Sequence, residues 1–98
     1  MEVNGRWIYD DGLYETFKAP YLGCPTEIGD KFHDARVITN SVPIEPGHTY
    51  TLPILFLYPD LVRPKLSVGL KFLLKKGFRL NYGEAEILEI CEENPRIN

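Results

Sequence analysis

The stretch that decides the fold runs from residue 66 to residue 91 and reads LSVGLKFLLKKGFRLNYGEAEILEIC. The alternating apolar residues of its first half are Val68, Leu70, Phe72 and Leu74. This period of two predicts a β-strand over 66–74 with one apolar face. A turn is expected around Gly77, and a second strand is predicted over 82–91.

The second strand has an imperfect alternation. Its phase slips near Leu88, and a β-bulge at that residue accounts for the slip. A helix over 84–93 is the competing interpretation, because Glu, Ala and Leu are good helix formers. The run Asn81-Tyr82-Gly83 is typical of the end of a hairpin connection and favours the strand.

Upstream segments predict further short strands. The apolar, β-branched run 49–58 predicts a strand, in which Pro53 indicates an edge position, a bulge or a break. Residues 33–39 predict another strand. Pro- and Gly-containing segments predict loops over 20–31, 40–47 and 59–64.

The N-terminal region predicts a hairpin. Residues 6–9 and 13–17 flank Asp10-Asp11-Gly12, and Asp-Gly tolerates the positive φ that tight hairpin turns require. Trp7, Tyr9 and Tyr14 are then either core of this hairpin or an exposed aromatic anchor for a protein partner.

Composition agrees with one small all-β domain over 1–98. The chain has 98 residues, 44% of them hydrophobic, with eight Gly and eight Pro that punctuate short apolar runs. Strands separated by Gly/Pro turns, without a clear amphipathic helix, predict a closed or nearly closed antiparallel barrel. No signal peptide or apolar run of membrane-spanning length is evident, so a cytoplasmic protein without membrane contact is expected.

Part of the chain resembles a known family. Pro46-Gly47-His48-Thr49-Tyr50, the segment 64–77 and the segment 83–90 resemble, in order and spacing, the last strands of the third domain of elongation factor Tu. The resemblance covers about 46–90 and implies a six-stranded antiparallel Greek-key barrel. In that family the domain is not catalytic and contacts aminoacyl-tRNA and other protein domains. This sequence departs from the pattern at the turn, where Lys76, Gly77 and Phe78 stand in place of an acid and two glycines, and no phosphate-binding loop is present.

Residues with reactive side chains do not form a recognisable motif. His33 and Asp34 are adjacent on a predicted strand and therefore point to opposite faces, which makes them a poor catalytic pair. Cys24 and Cys91 lack the spacing of a zinc site or a disulfide framework. Cys24 is the one candidate nucleophile. An enzyme with Cys24 as its nucleophile is a third hypothesis, but because no histidine is near Cys24 in sequence we predict no catalytic residue, no metal site and no cofactor.

Charge is distributed unevenly around a net value of −3. The acidic candidates for binding a protein partner are Glu84, Glu86, Glu89, Glu92 and Glu93. The basic candidates for binding RNA are Lys71, Lys75, Lys76 and Arg79. The two groups either cancel across paired strands or one of them is an interaction face. The first hypothesis is a non-catalytic barrel that binds a protein, for example an immunity or antitoxin-type inhibitor of a bacterial toxin. The alternative is an RNA- or translation-associated module.

Overall fold

The chain folds into a closed antiparallel barrel. The computed structural model describes residues 2–9, 16–77 and 80–91, and within them six strands close the barrel in the order β1-β4-β3-β2-β5-β6. The strands are β1 (Glu2–Tyr9), β2 (Tyr21–Ile28), β3 (Lys31–Ile38), β4 (Thr49–Phe56), β5 (Lys71–Lys76) and β6 (Leu80–Cys91). The consecutive strands β2, β3 and β4 are neighbours in the sheet, and β1 lies beside β4. This is a Greek-key arrangement. The predicted all-β barrel is confirmed.

The C-terminal hairpin largely follows the prediction. β5 and β6 pair antiparallel, and β6 extends through Cys91, so the strand interpretation is confirmed over the helix. The ladder of β1 with β6 passes from Asn4 opposite Glu89 to Gly5 opposite Ile87, so Leu88 is the extra residue of a bulge, as the phase slip predicted. The first strand begins later than predicted. Residues 66–70 precede it, with a turn at Val68 and Gly69, and Val68 is 66% exposed.

β1 does not form the predicted local hairpin. Its ladders with β4 and β6 occupy both of its edges over 2–8, so a strand over 13–17 cannot pair with it there. Phe17 instead forms a bridge with Ile44, and residues 10–15 lie outside the described part of the chain. Burial of Trp7 identifies it as core, with its indole N–H donating to the carbonyl of Tyr82 at 3.4 Å.

The predicted loop over 20–31 is wrong in its larger part. β2 alternates buried and less buried residues and pairs with β3 along its whole length. Pro25 is tolerated because the other edge of β2 meets β5 only at Thr26 and Glu27, so few ladder bonds are at stake on that side. Thr26 is buried and donates its hydroxyl hydrogen to the carbonyl of His33 at 2.7 Å.

The connection after β4 is also more regular than the predicted loop. A short helix α1 (Pro59–Val62) and a 3₁₀ turn (Arg63–Lys65) follow β4, and Val62 is fully buried at that end of the barrel. Pro53 lies within β4, one residue beyond the segment that pairs with β3. It therefore occupies a locally unpaired edge, one of the positions its sequence context predicted.

β1 and β6 approach each other very closely at Gly83. Gly83 has φ +154°, and a Cβ atom there would overlap the carbonyl oxygen of Ile8 and lie 2.6 Å from the Trp7 Nε1. Only glycine lets these two strands approach so closely. Gly83 immediately precedes Glu84, so this contact also sets the position of the acidic part of β6.

Candidate functional site

Two strands carry the charged outer face of the barrel. On β6, alternation turns Glu84 and Glu86 away from the buried Ala85 and Ile87. The ladder with β1 places Arg6 opposite Glu86. Sequence reasoning had missed Arg6 as part of this surface, although the alternation of β1 residues gave a local signal for its outward face.

Glu86 is a compensated carboxylate. The Arg6 guanidinium donates from Nη2 to Oε1 of Glu86 at 2.5 Å, and Lys71 lies opposite Glu86 on β5. The hydrogen bond from Arg6 is the main reason the pKa of Glu86 lies below its usual range, and the charges of Arg6 and Lys71 act in the same direction. At Glu86, therefore, the negative charge is compensated by positive charges on the two neighbouring strands.

Glu84 and Glu89 keep their charge available. Glu84 lies beside Ile8 on β1 and is exposed, with no ion pair among the described residues. Glu89 is exposed and accepts a hydrogen bond from Nδ2 of Asn4 at 2.9 Å, a neutral donor that leaves the negative charge uncompensated. Glu92 and Glu93 lie outside the described residues.

The three predicted basic residues that the structure describes do not share one surface. The side chain of Lys75 is 8% exposed, and its ammonium lies 3.6 Å from the Glu27 carboxylate on β2. Lys76 lies over the ring of Tyr82, with Nζ 5.9 Å from the ring centroid. Lys71 is at the opposite end of β5 and faces Glu86, whereas Arg79 is not among the described residues.

A shallow depression marks the outer face of β1 and β6. Its volume is about 410 Å³. The side chains around it are Arg6, Ile8, Thr49, Lys71, Glu84 and Glu86. It therefore combines charges of both signs with an apolar side chain.

Cys24 is unsuited to nucleophilic chemistry. It is buried in the barrel, and desolvation, followed by the charge of Asp34, raises the pKa of its thiol to about 12. At neutral pH such a group is a thiol rather than the nucleophilic thiolate. Both Cys24 and Cys91 are free, so they do not form a disulfide.

His33 makes a structural contact rather than a pair with Asp34. The Lys65 ammonium donates to Nε2 of His33 at 3.1 Å and thereby connects the 3₁₀ turn to β3. Burial, and then the charge of Lys65, lower the pKa of His33. In the ranges 2–9, 16–77 and 80–91, no cluster of three or more His, Cys, Asp or Glu residues could hold a metal ion.

Comparisons with known protein families and with curated proteins find no match to this chain. None of the helices in the described part of the chain has the length and apolar character needed to cross a membrane.

Proposed function

We propose that the protein is a non-catalytic barrel whose acidic outer face binds a basic surface of another protein. The observation that supports this most is the exposure of Glu84 and Glu89 on β6 without a cationic partner among the described residues. Uncompensated carboxylates on a rigid strand steer a basic partner toward the face and fix its register. Glu86 belongs to the same proposed face but contributes less charge because Arg6 neutralises it. Glu92 and Glu93, which the sequence also suggested for partner binding, lie outside the described residues.

An immunity or antitoxin-type inhibitor is the concrete form of this proposal. Such a protein needs a stable scaffold, a complementary charge and no chemistry of its own. The net charge of −3 and the burial of Cys24 are compatible with that role. Binding in the manner of the third domain of elongation factor Tu stays a prediction, and burial of Lys75 does not favour an RNA interface that includes it.

Capture from a lysate of the source organism tests the proposal. The wild-type protein, a Glu84→Lys/Glu89→Lys variant and a Glu45→Lys control are immobilised at equal density, with and without nuclease treatment. Glu45 is exposed in the connection before β4, and its substitution changes net charge without touching β6.

A stoichiometric protein that survives nuclease and binds wild type and the control, but not the β6 variant, is the expected result. Each charge reversal should weaken binding by about tenfold or more, because like charges then oppose each other. Equal capture by all three proteins would contradict the proposed face. Capture of RNA that nuclease removes would favour the alternative class of module.

A further inference from the structure

The depression on the outer face of β1 and β6 has the size of a small-molecule site. Its volume of about 410 Å³ falls within the usual range of roughly 300–1,000 Å³ for ligand pockets. Its walls come from four adjacent strands of the closed sheet, β4, β1, β6 and β5. Sites on paired strands are held more precisely than sites on loops.

Two of the four charged side chains around the depression form an ion pair with each other. Arg6 and Glu86 form a close ion pair, and their carboxylate and guanidinium satisfy one another at one side of the depression. A ligand therefore meets a neutral pair there, together with the remaining N–H groups of Arg6.

Its other two charges are opposite in sign and separated. Lys71 is paired in register with Glu86, and Glu84 lies one row further along β6, so Lys71 and Glu84 are diagonal neighbours on adjacent strands. Diagonal Cα atoms in a sheet lie roughly 7–8 Å apart. Neither side chain makes an ion pair within the described part of the chain. The depression thus offers an ammonium and a carboxylate on adjacent strands that are not paired with each other.

An apolar surface completes the arrangement. Ile8 lies directly across from Glu84 on β1 and is 45% exposed, with Thr49 on its other side in β4. A ligand that carried only one charge would leave the opposite charge of the site without a partner. A ligand that carried both charges and an apolar group would match all three features.

We propose that this depression binds a small dipolar molecule of the α-amino acid class that has an apolar side chain. The ligand carboxylate lies against Lys71, and its ammonium lies against Glu84, the diagonal neighbour of Lys71 on β6. Its apolar side chain covers Ile8. This inference does not rest on the protein partner proposed above, but both ligands would contact Glu84, so a small molecule bound in the depression and a basic protein partner would compete for that carboxylate.

Nuclear magnetic resonance titration of the full-length, ¹⁵N-labelled protein tests the inference with L-leucine as the probe. Two analogues each lack one charge: 4-methylpentanoate lacks the ammonium, and 3-methylbutan-1-amine lacks the carboxylate. We expect leucine to shift the amide signals of Ile8, Glu84 and their neighbours, with a Kd on the order of 1 mM. Each analogue should bind about tenfold more weakly, because one charge-assisted hydrogen bond is lost.

Matched variants separate the site from general electrostatics. Lys71→Met and Glu84→Gln should each weaken leucine binding by about tenfold, whereas Lys31→Met and Glu45→Gln, at exposed positions outside the depression, should leave it unchanged. The amide spectrum of each variant also reports whether it is folded. Equal affinity for leucine and either analogue would overturn the inference. So would unchanged binding in Lys71→Met and Glu84→Gln, or the absence of localised shifts at about 10 mM leucine.

Discussion

Replacement of Gly83 by alanine should destabilise the barrel more than the same replacement at Gly29, a turn glycine that also has a positive φ. The new Cβ would overlap the carbonyl oxygen of Ile8 and approach Nε1 of Trp7 to 2.6 Å. The carbonyl belongs to the backbone of β1, which is paired on both edges. Neither strand can move aside without breaking ladder hydrogen bonds.

The magnitude has two components. A non-glycine residue at φ +154° costs about 1–3 kcal/mol in backbone strain. Forcing an extra methyl group into a filled space costs about 1–3 kcal/mol more. We therefore expect a loss of about 2–6 kcal/mol, a large share of the roughly 5–15 kcal/mol that stabilises a typical domain.

Gly29→Ala is the matched control. Gly29 also has a positive φ, +64°, but a Cβ there meets nothing within 4 Å, so this variant measures the backbone cost alone. That cost should be about 1–2 kcal/mol.

Urea denaturation followed by Trp7 fluorescence compares the free energies of unfolding. With an m-value of about 2 kcal/mol/M, the midpoint of Gly83→Ala should fall by roughly 1–3 M at unchanged m. If Gly83→Ala lost no more stability than Gly29→Ala, the steric argument would be refuted.

Three further predictions follow from buried or coupled groups. Glu27→Gln leaves the ammonium of Lys75 without its carboxylate and should cost about 1–3 kcal/mol in urea denaturation, part of which the added Lys75→Met change should restore. A thiol reagent at neutral pH should modify Cys24 only at the rate of unfolding, because burial raises its pKa to about 12; fast modification of the folded protein would contradict its placement. Because burial and the charge of Lys65 lower the pKa of His33 in the folded state, the unfolded chain binds the proton more tightly. This contribution to stability is thus complete above the ordinary value of 6.5 and is lost as the pH falls below it. Thermal unfolding on both sides of that pH should show a steeper loss in wild type than in His33→Gln, and parallel curves would exclude this role.

Alternation in the sequence predicted the parts of the fold that local patterns determine. The strand 82–91 and its bulge at Leu88 follow from side chains that must alternate between core and solvent. β2 was missed because Gly23, Pro25 and Thr26 have loop-like composition. Its extended conformation depends on pairing with β3. The hydroxyl of the buried Thr26 donates a hydrogen bond to the His33 carbonyl, so this polar side chain is buried without losing its hydrogen-bond partner.

The sequence indicates which residues of the candidate site face solvent, but not which side chains they pair with. Exposure of Glu84 follows from the same alternation as the core, whereas exposure of Glu89 follows only after the bulge at Leu88 shifts the phase of the strand. The compensation of Glu86 by Arg6 joins residues 80 positions apart in the chain, so it requires the closure of the barrel. The same closure excluded the local hairpin expected at the N-terminus, because β1 finds both neighbours at a distance.

The pairing of β1 with β6 has a consequence for biosynthesis. β1 is synthesised before β6, yet its longest ladder is with β6. The barrel therefore cannot close until β6 has been synthesised. A nascent chain that lacks β6 leaves one edge of β1 open, and with it the apolar side chains of Val3 and Trp7. Such edges are where chaperones bind and where aggregation begins. Slow or interrupted translation between β1 and β6 should therefore lower the yield of folded protein even though the mature barrel has no such opening along β1.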